Sequence, residues 1–233
     1  MRIDVLTLFP ELFPGPLGES VIGRAAERGL ATVNAIDLRK WAVDARGTVD
    51  DRPYGGGPGM LMMVEPLVAA VEALRKKDTF VVLTSPRGEV FNQKIASELA
   101  QREHLVVITG HYEGVDQRAI DLVVDREISI GDYVLSCGVL PAMTICDAVI
   151  RLLPGVLGDD ESSVGESHTE SLLEYPQYTR PPVFRERQVP EVLLSGDHGR
   201  IEKFRREEME KITRSRRPDL WEKYLSFNKG KDL

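Results

Sequence analysis

The chain has 233 residues and a formal charge of −7, from 30 Lys+Arg against 37 Asp+Glu. That length allows one large domain or two smaller ones around a real core. The charge excludes a protein that is basic throughout, and no apolar run reaches the about 18 residues of a membrane-crossing helix. Two cysteines, Cys137 and Cys146, form neither a CxxC pair nor a disulfide framework. Residues 1–5 open as a strand and not as a signal peptide. A reducing cytoplasm and no membrane partner are therefore expected.

Residues 2–8 predict a strand, followed by a Pro-rich turn over 10–16, a helical segment over 17–28 and a second strand over 31–38. Residues 50–60 (D-D-R-P-Y-G-G-G-P-G-M) suit no regular element. An amphipathic helix is expected over 64–77, with Val64, Leu67, Val68, Val71 and Leu74 on one face. A short buried strand over 80–84 ends in Ser85-Pro86-Arg87-Gly88, and a polar helix follows over 92–102. The strand over 105–109 ends in Gly110-His111-Tyr112-Glu113-Gly114, and a third, Glu127-Ile128-Ser129-Ile130, runs into Gly131. Helical spacing resumes near Thr144 and stops at Pro154-Gly155. Alternating strands and helices, with apolar runs such as F-V-V-L and L-V-V-I, predict an α/β domain on a parallel sheet covered on both faces. Residues 1–158 form that domain, 159–171 read as a polar flexible linker or lid, and 172–233 as a small all-α C-terminal domain.

Three buried strands thus end in loops rich in glycine or proline. Ligands of open α/β sheets bind beyond the carboxyl ends of the strands, so the three together predict a pocket for a small, partly apolar molecule. The glycine run Gly55-Gly56-Gly57-Pro58-Gly59 is neither GxGxxG opening a helix nor a P-loop, which disfavours a dinucleotide enzyme or an NTPase. Its amides suit a phosphate of a large substrate, or simply a tight loop. His104, His111, His168 and His198 show no metal-ligand spacing, so no metal-binding residue is assigned. Arg151 closes an apolar helix, where it serves either as a helix-end cation or as a fixed fork of donors. Glu166 by itself reads as a surface carboxylate of the linker. Basic residues crowd 180–217 with acidic ones interleaved, which fits either a solvated helix with ion pairs or a nucleic-acid surface.

The strings D-D-R-P-Y-G-G-G-P-G-M-L-M-M (residues 50–63), G-H-Y-E-G-V-D (110–116), S-I-G-D-Y-V-L (129–135), P-G-V-L-G (154–158), Y-T-R-P (178–181) and L-L-S-G-D-H (193–198) stand in order along the chain. Together they resemble the bacterial tRNA (guanine-N1)-methyltransferases, which methylate the guanosine at tRNA position 37 beside the anticodon. The resemblance runs from residue 1 to about residue 225. It implies a SPOUT fold, a parallel sheet with a deep trefoil knot, and knots lie outside ordinary connection rules. It also implies a homodimer whose active sites use both subunits, S-adenosylmethionine held in the knot, use of Mg²⁺, and an anticodon arm gripped by the C-terminal domain.

Carried onto this chain, the resemblance gives Leu83, Thr84, Ser85 and Pro86 to the first cofactor loop, and Gly110, Tyr112 and Glu113 to the second. Ile130, Gly131, Asp132, Tyr133, Val134, Leu135, Gly138 and Pro141 belong to the third. Arg151 matches the family's arginine and Glu166 falls at its catalytic base. Two departures stand out: Glu166-Ser167-His168 where the family has Asp-Ser-Phe, and Cys137 at a family glycine. Three readings follow: an active tRNA methyltransferase, a catalytically impaired RNA-binding relative, or a knotted methyltransferase for another RNA.

Overall fold

The computed structural model describes residues 1–157, 167–168 and 171–229. The chain divides into two compact units, Met1–Gly158 and Asp159–Leu233. In the first, strand β1 (Arg2–Thr7) leads through a short helix α1 (Pro14–Leu17) and helix α2 (Ser20–Glu27) to β2 (Thr32–Asp37). The two-residue strands β3 (Asp50–Asp51) and β4 (Leu61–Met62) pair antiparallel across the glycine run. Helix α3 (Val64–Leu74), β5 (Thr79–Val90), α4 (Gln93–Ala100), β6 (His104–Thr109), α5 (Gln117–Val123), β7 (Arg126–Ser129) and α6 (Val139–Ile150) complete the unit.

The main sheet has five strands in the order β2-β1-β6-β5-β7, and every pairing is parallel. Successive side chains of a strand point to opposite faces, so each face gathers its own core. Ile3, Val5, Val82, Leu105, Val107 and Ile128 pack against Ile22, Ile95, Leu99, Ile145 and Val149 of α2, α4 and α6. Leu6, Val81, Leu83, Val106 and Ile108 pack on the other face against Leu67, Val71 and Ile120 of α3 and α5. Strand β6 is central and buried along its whole length, which is why its sequence is a run of apolar residues without alternation.

In the five-stranded sheet and its helices, β5 and α6 differ in extent from the sequence expectation. Strand β5 does not stop at Thr84: its pairing with β7 skips from Thr84 to Glu89 and resumes, so Ser85-Pro86-Arg87-Gly88 is a bulge inside a longer strand. Gly88 permits this, because a Cβ there would stand 2.5 Å from the Ile128 nitrogen. Helix α6 begins at Val139, five residues before Thr144, with Pro141 in the first turn, where a missing N–H breaks no helical bond.

One carboxylate, that of Asp4, is fully buried in the sheet. The Asp4 carboxylate receives Arg2 Nη2 at 2.8 Å, Asn34 Nδ2 at 2.7 Å and His104 Nε2 at 3.0 Å. Thr79 Oγ1 lies 2.7 Å from His104 Nδ1. Burial pushes this carboxyl up, but its hydrogen bonds outweigh burial and hold it below the usual carboxylate range. His104 is thus a core residue, satisfied at both ring nitrogens by side chains from two other strands, Asp4 of β1 and Thr79 of β5.

The second unit carries α7 (Glu191–Leu194), α8 (His198–Arg216) and α9 (Pro218–Lys229), preceded by a hairpin of β8 (Val183–Phe184) and β9 (Arg187–Gln188). The hairpin adds two short strands to a unit that the sequence describes as helical. Its two-residue turn has positive φ at both Arg185 and Glu186, as a type I′ turn needs. Asp197 caps α8, accepting from the Arg200 amide at 3.1 Å. Leu172, Met209 and Tyr224 form the core between α8 and α9.

Candidate active site

Strands β5, β6 and β7 are parallel, so their carboxyl ends lie along one edge of the sheet. The bulge at 85–88, the loop after β6 and the loop between β7 and α6 converge there around a cavity of about 480 Å³, in the usual range for small-molecule sites. Leu83, Thr84, Ser85, Pro86, Gly110, Tyr112, Glu113, Ile130, Tyr133, Val134, Leu135, Gly138 and Pro141 all line it. Gly131 and Asp132 belong to the third loop but lie outside the cavity wall. The Gly131 carbonyl accepts from the Ser129 hydroxyl at 3.0 Å and the Tyr133 amide at 2.9 Å, which closes a tight turn.

The loops are held to one another by main chain. The Gly138 amide donates to the Gly110 carbonyl at 2.6 Å. A Cβ on Gly138 would stand 2.1 Å from Thr84 Oγ1 and 2.5 Å from the Gly110 nitrogen, so only glycine allows this approach. The second loop is also stitched to the glycine run: Met62 N donates to Gly114 O at 2.9 Å and Glu113 N to Met60 O at 3.0 Å. The glycine run is thereby brought beside the cavity, with Gly59 against the Glu113 side chain.

Arg87, Gln117 and Glu127 also line the cavity, and the sequence patterns leave their polar chemistry unmarked. Arg87 Nη2 donates to Gln117 Oε1 at 3.2 Å and to Glu127 Oε2 at 3.4 Å, tying the bulge to α5 and β7. Arg87 reads as a turn residue and its two partners lie 30 and 40 positions away, so no local signal joins them. His111 packs between Phe9 and Tyr112, with ring centroids at 5.3 and 4.6 Å. Burial, helped by the nearby Arg39 charge, lowers its pKa below the ordinary value, against the pull of Asp50. The Tyr112 hydroxyl is pushed above its ordinary range by burial and then by the Asp50 carboxylate. Cys137 lines the cavity and is partly buried.

Arg151 does not line this cavity. It caps the carboxyl end of α6, while Gly138 caps the amino end beside the cavity. Twelve helical residues separate the two by about 18 Å. Glu166 lies outside the described residues. Ser167 and His168 are described: Ser167 Oγ accepts from the Glu174 amide at 3.0 Å, and the His168 amide donates to the Leu172 carbonyl at 2.8 Å. Among the described residues, no group of three or more His, Cys, Asp or Glu is placed to hold a metal ion. No described helix is long and apolar enough to cross a membrane.

A parallel α/β unit with a cavity at its strand ends, followed by a helical unit, defines a broad class of ligand-binding and transferase folds. Sequence comparison narrows it. The family described as tRNA (Guanine-1)-methyltransferase TrmD matches residues 1–223. A tRNA (guanine-N(1)-)-methyltransferase of Moorella thermoacetica is 56% identical over 224 residues, covering 94% of this chain and 90% of the relative. The protein of that name from Carboxydothermus hydrogenoformans is 54% identical over 220 residues, 94% of this chain and 87% of the relative. One from Ruminiclostridium cellulolyticum is 51% identical over 231 residues, 98% and 99% of the two chains. The chain belongs to the tRNA (guanine-N1)-methyltransferase family, whose fold is of the SPOUT type.

Proposed function

We propose that this chain transfers the methyl group of S-adenosylmethionine to N1 of the guanosine at position 37 of tRNA, in the cytoplasm, working as a homodimer. Family membership carries the coarser half of this reading, a tRNA guanine-N1-methyltransferase. The observation that supports the donor is the three-loop cavity. It offers apolar walls at Leu83, Ile120, Ile128 and Pro141, and the carboxylates of Glu113 and Glu127. That donor set suits a molecule with a flat apolar base and a cationic sulfonium.

S-adenosylmethionine supplies a methyl group on a sulfonium, open to in-line attack without a covalent enzyme intermediate. The residues of the chain supply the rest. Guanine N1 is a poor nucleophile while it carries its proton. The Glu166 carboxylate accepts that proton, and the Arg151 guanidinium stabilises the negative charge that grows on O6. Glutamate has the same carboxylate chemistry as the family's aspartate and is one methylene longer. The Mg²⁺ that the resemblance implies meets no acidic cluster among the described residues, and no step is assigned to it.

Two observations support the dimer. Arg151 lies one helix length from the cavity of its own protomer, so an arginine at the reacting base comes from a second copy. Tyr133, Val134 and Leu140 are 56%, 81% and 59% exposed around the cavity mouth and the first turn of α6, an apolar surface suited to being covered. The basic residues of α8 give the second unit its RNA-binding character, and binding should weaken steeply with salt.

The test is methyl incorporation from S-adenosylmethionine into tRNA transcripts bearing guanosine or adenosine at position 37. Incorporation only with guanosine is expected. Retained tRNA binding with no incorporation would indicate an impaired relative, and incorporation that ignores position 37 would indicate another RNA target.

A further inference from the structure

Thr84 sits at the last residue before the β5 bulge and is 3% exposed. The resemblance places it among residues that touch the cofactor, yet its hydroxyl is turned into the protein. Oγ1 accepts from the Gly110 amide at 3.2 Å. Its single proton is shared between the Ile108 carbonyl at 3.2 Å and the Gly138 carbonyl at 3.3 Å. A hydroxyl has one donor and two acceptor positions, so these contacts use the proton and leave one acceptor site. The same atom is the nearest neighbour of the missing Gly138 side chain. One hydroxyl therefore bonds the end of β6, the loop after it and the loop before α6, from a residue that opens the first loop.

We infer that Thr84 is a positioning residue, whose hydroxyl sets the spacing of the three loops and so the shape of the donor pocket. This rests on the proposal that the cavity holds S-adenosylmethionine. Main chain alone joins the second and third loops, through Gly138 N and Gly110 O. Among the described residues, it is the Thr84 side chain whose hydrogen bonds join all three loops. Sites of this kind lose function when a supporting bond is removed, even though the contacting residues remain.

The experiment compares Thr84→Val, which keeps shape and removes the hydroxyl, with Thr84→Ser, which keeps the hydroxyl and removes a methyl group. Affinity for S-adenosylmethionine is measured by calorimetry, and KM and kcat by methyl transfer to tRNA. The valine variant should bind S-adenosylmethionine about tenfold more weakly, roughly the effect of one lost hydrogen bond. Its KM for S-adenosylmethionine should rise in parallel, with KM for tRNA within about twofold. The serine variant should restore affinity to within about threefold of the unaltered protein. A merely structural role would lower the active fraction, and hence kcat, while leaving KM unchanged. Thermal melting without ligand checks folding, and if the valine variant does not fold, Thr84→Ala carries the same comparison. Unchanged affinity in the hydroxyl-free variant, or a serine variant as weak as valine, overturns the positioning role. Failure of the unaltered protein to bind S-adenosylmethionine overturns the cofactor reading itself, and this inference with it.

Discussion

The two units are built on different terms. The first buries two apolar layers against a five-stranded parallel sheet, and its site is a set of loops locked at ångström spacing. The core of the second gathers around Leu172, Met209 and Tyr224, and much of the rest is held by charge. Arg205 lies over Tyr175 at 4.7 Å and Arg206 over Tyr224 at 5.2 Å, while the Tyr224 hydroxyl donates to Glu210 at 2.9 Å. A small donor molecule needs a rigid, shaped pocket, because its reacting atom must be placed closely. A large polyanion needs cations on a surface that adapts, and that surface is cheaper in core. The contrast agrees with the proposed division, in which the first unit takes the donor and the second the RNA.

The largest expected effect tests the division of labour. Glu166→Gln should lower single-turnover methyl transfer by about 10²- to 10⁴-fold, the range of a general base, with affinity for S-adenosylmethionine unchanged. An unaltered rate would remove Glu166 from the mechanism. Gly138→Ala comes next: its Cβ would meet Thr84 Oγ1 at 2.1 Å and force the loops apart. Transfer should fall by about 10²-fold, now through lost donor affinity and not lost RNA binding. A wild-type dissociation constant would show that the loop spacing does not matter.

Leu172→Ala sharpens the comparison from the other side. Leu172 is fully buried in the small core, and the truncation should cost about 2–5 kcal/mol, most of it within the second unit. Tryptophan fluorescence and tRNA binding should report early unfolding there, while S-adenosylmethionine binding persists. Simultaneous loss of both would mean that the units do not fold separately.

The smallest effect concerns His111. Its folded pKa lies below the ordinary value, so the unfolded chain binds its proton first as pH falls. Stability should therefore decline below about pH 6.5, through the window between the unfolded and folded pKa values. His111→Asn should flatten that decline. Following the His111 ring resonance by NMR checks the sign, and titration above the ordinary value would contradict it.

What the sequence made legible follows from range. The apolar runs of β5 and β6 announce a parallel sheet because strands covered on both faces need no alternation. The three loops are visible because glycine and proline punctuate the ends of those runs. The bulge was not visible: Ser85-Pro86-Arg87-Gly88 looks like an ending, and only the pairing of Glu89 with Ile128 makes it an interruption. The start of α6 was hidden by Pro141, which reads as a breaker but is tolerated in a first turn. His104 and Thr84 share a further limit. Their partners, Asp4 and Gly138, lie 100 and 54 residues away, so their roles exist only in the folded chain.

Hydrogen–deuterium exchange of the unaltered protein with each ligand alone tests the division most directly. S-adenosylmethionine should slow exchange in residues 83–88, 110–114 and 130–138 and leave α8 and α9 unchanged. tRNA should add protection in the second unit. Protection of α8 and α9 by S-adenosylmethionine alone, with the three loops unaffected, would contradict the assignment of the donor to the first unit.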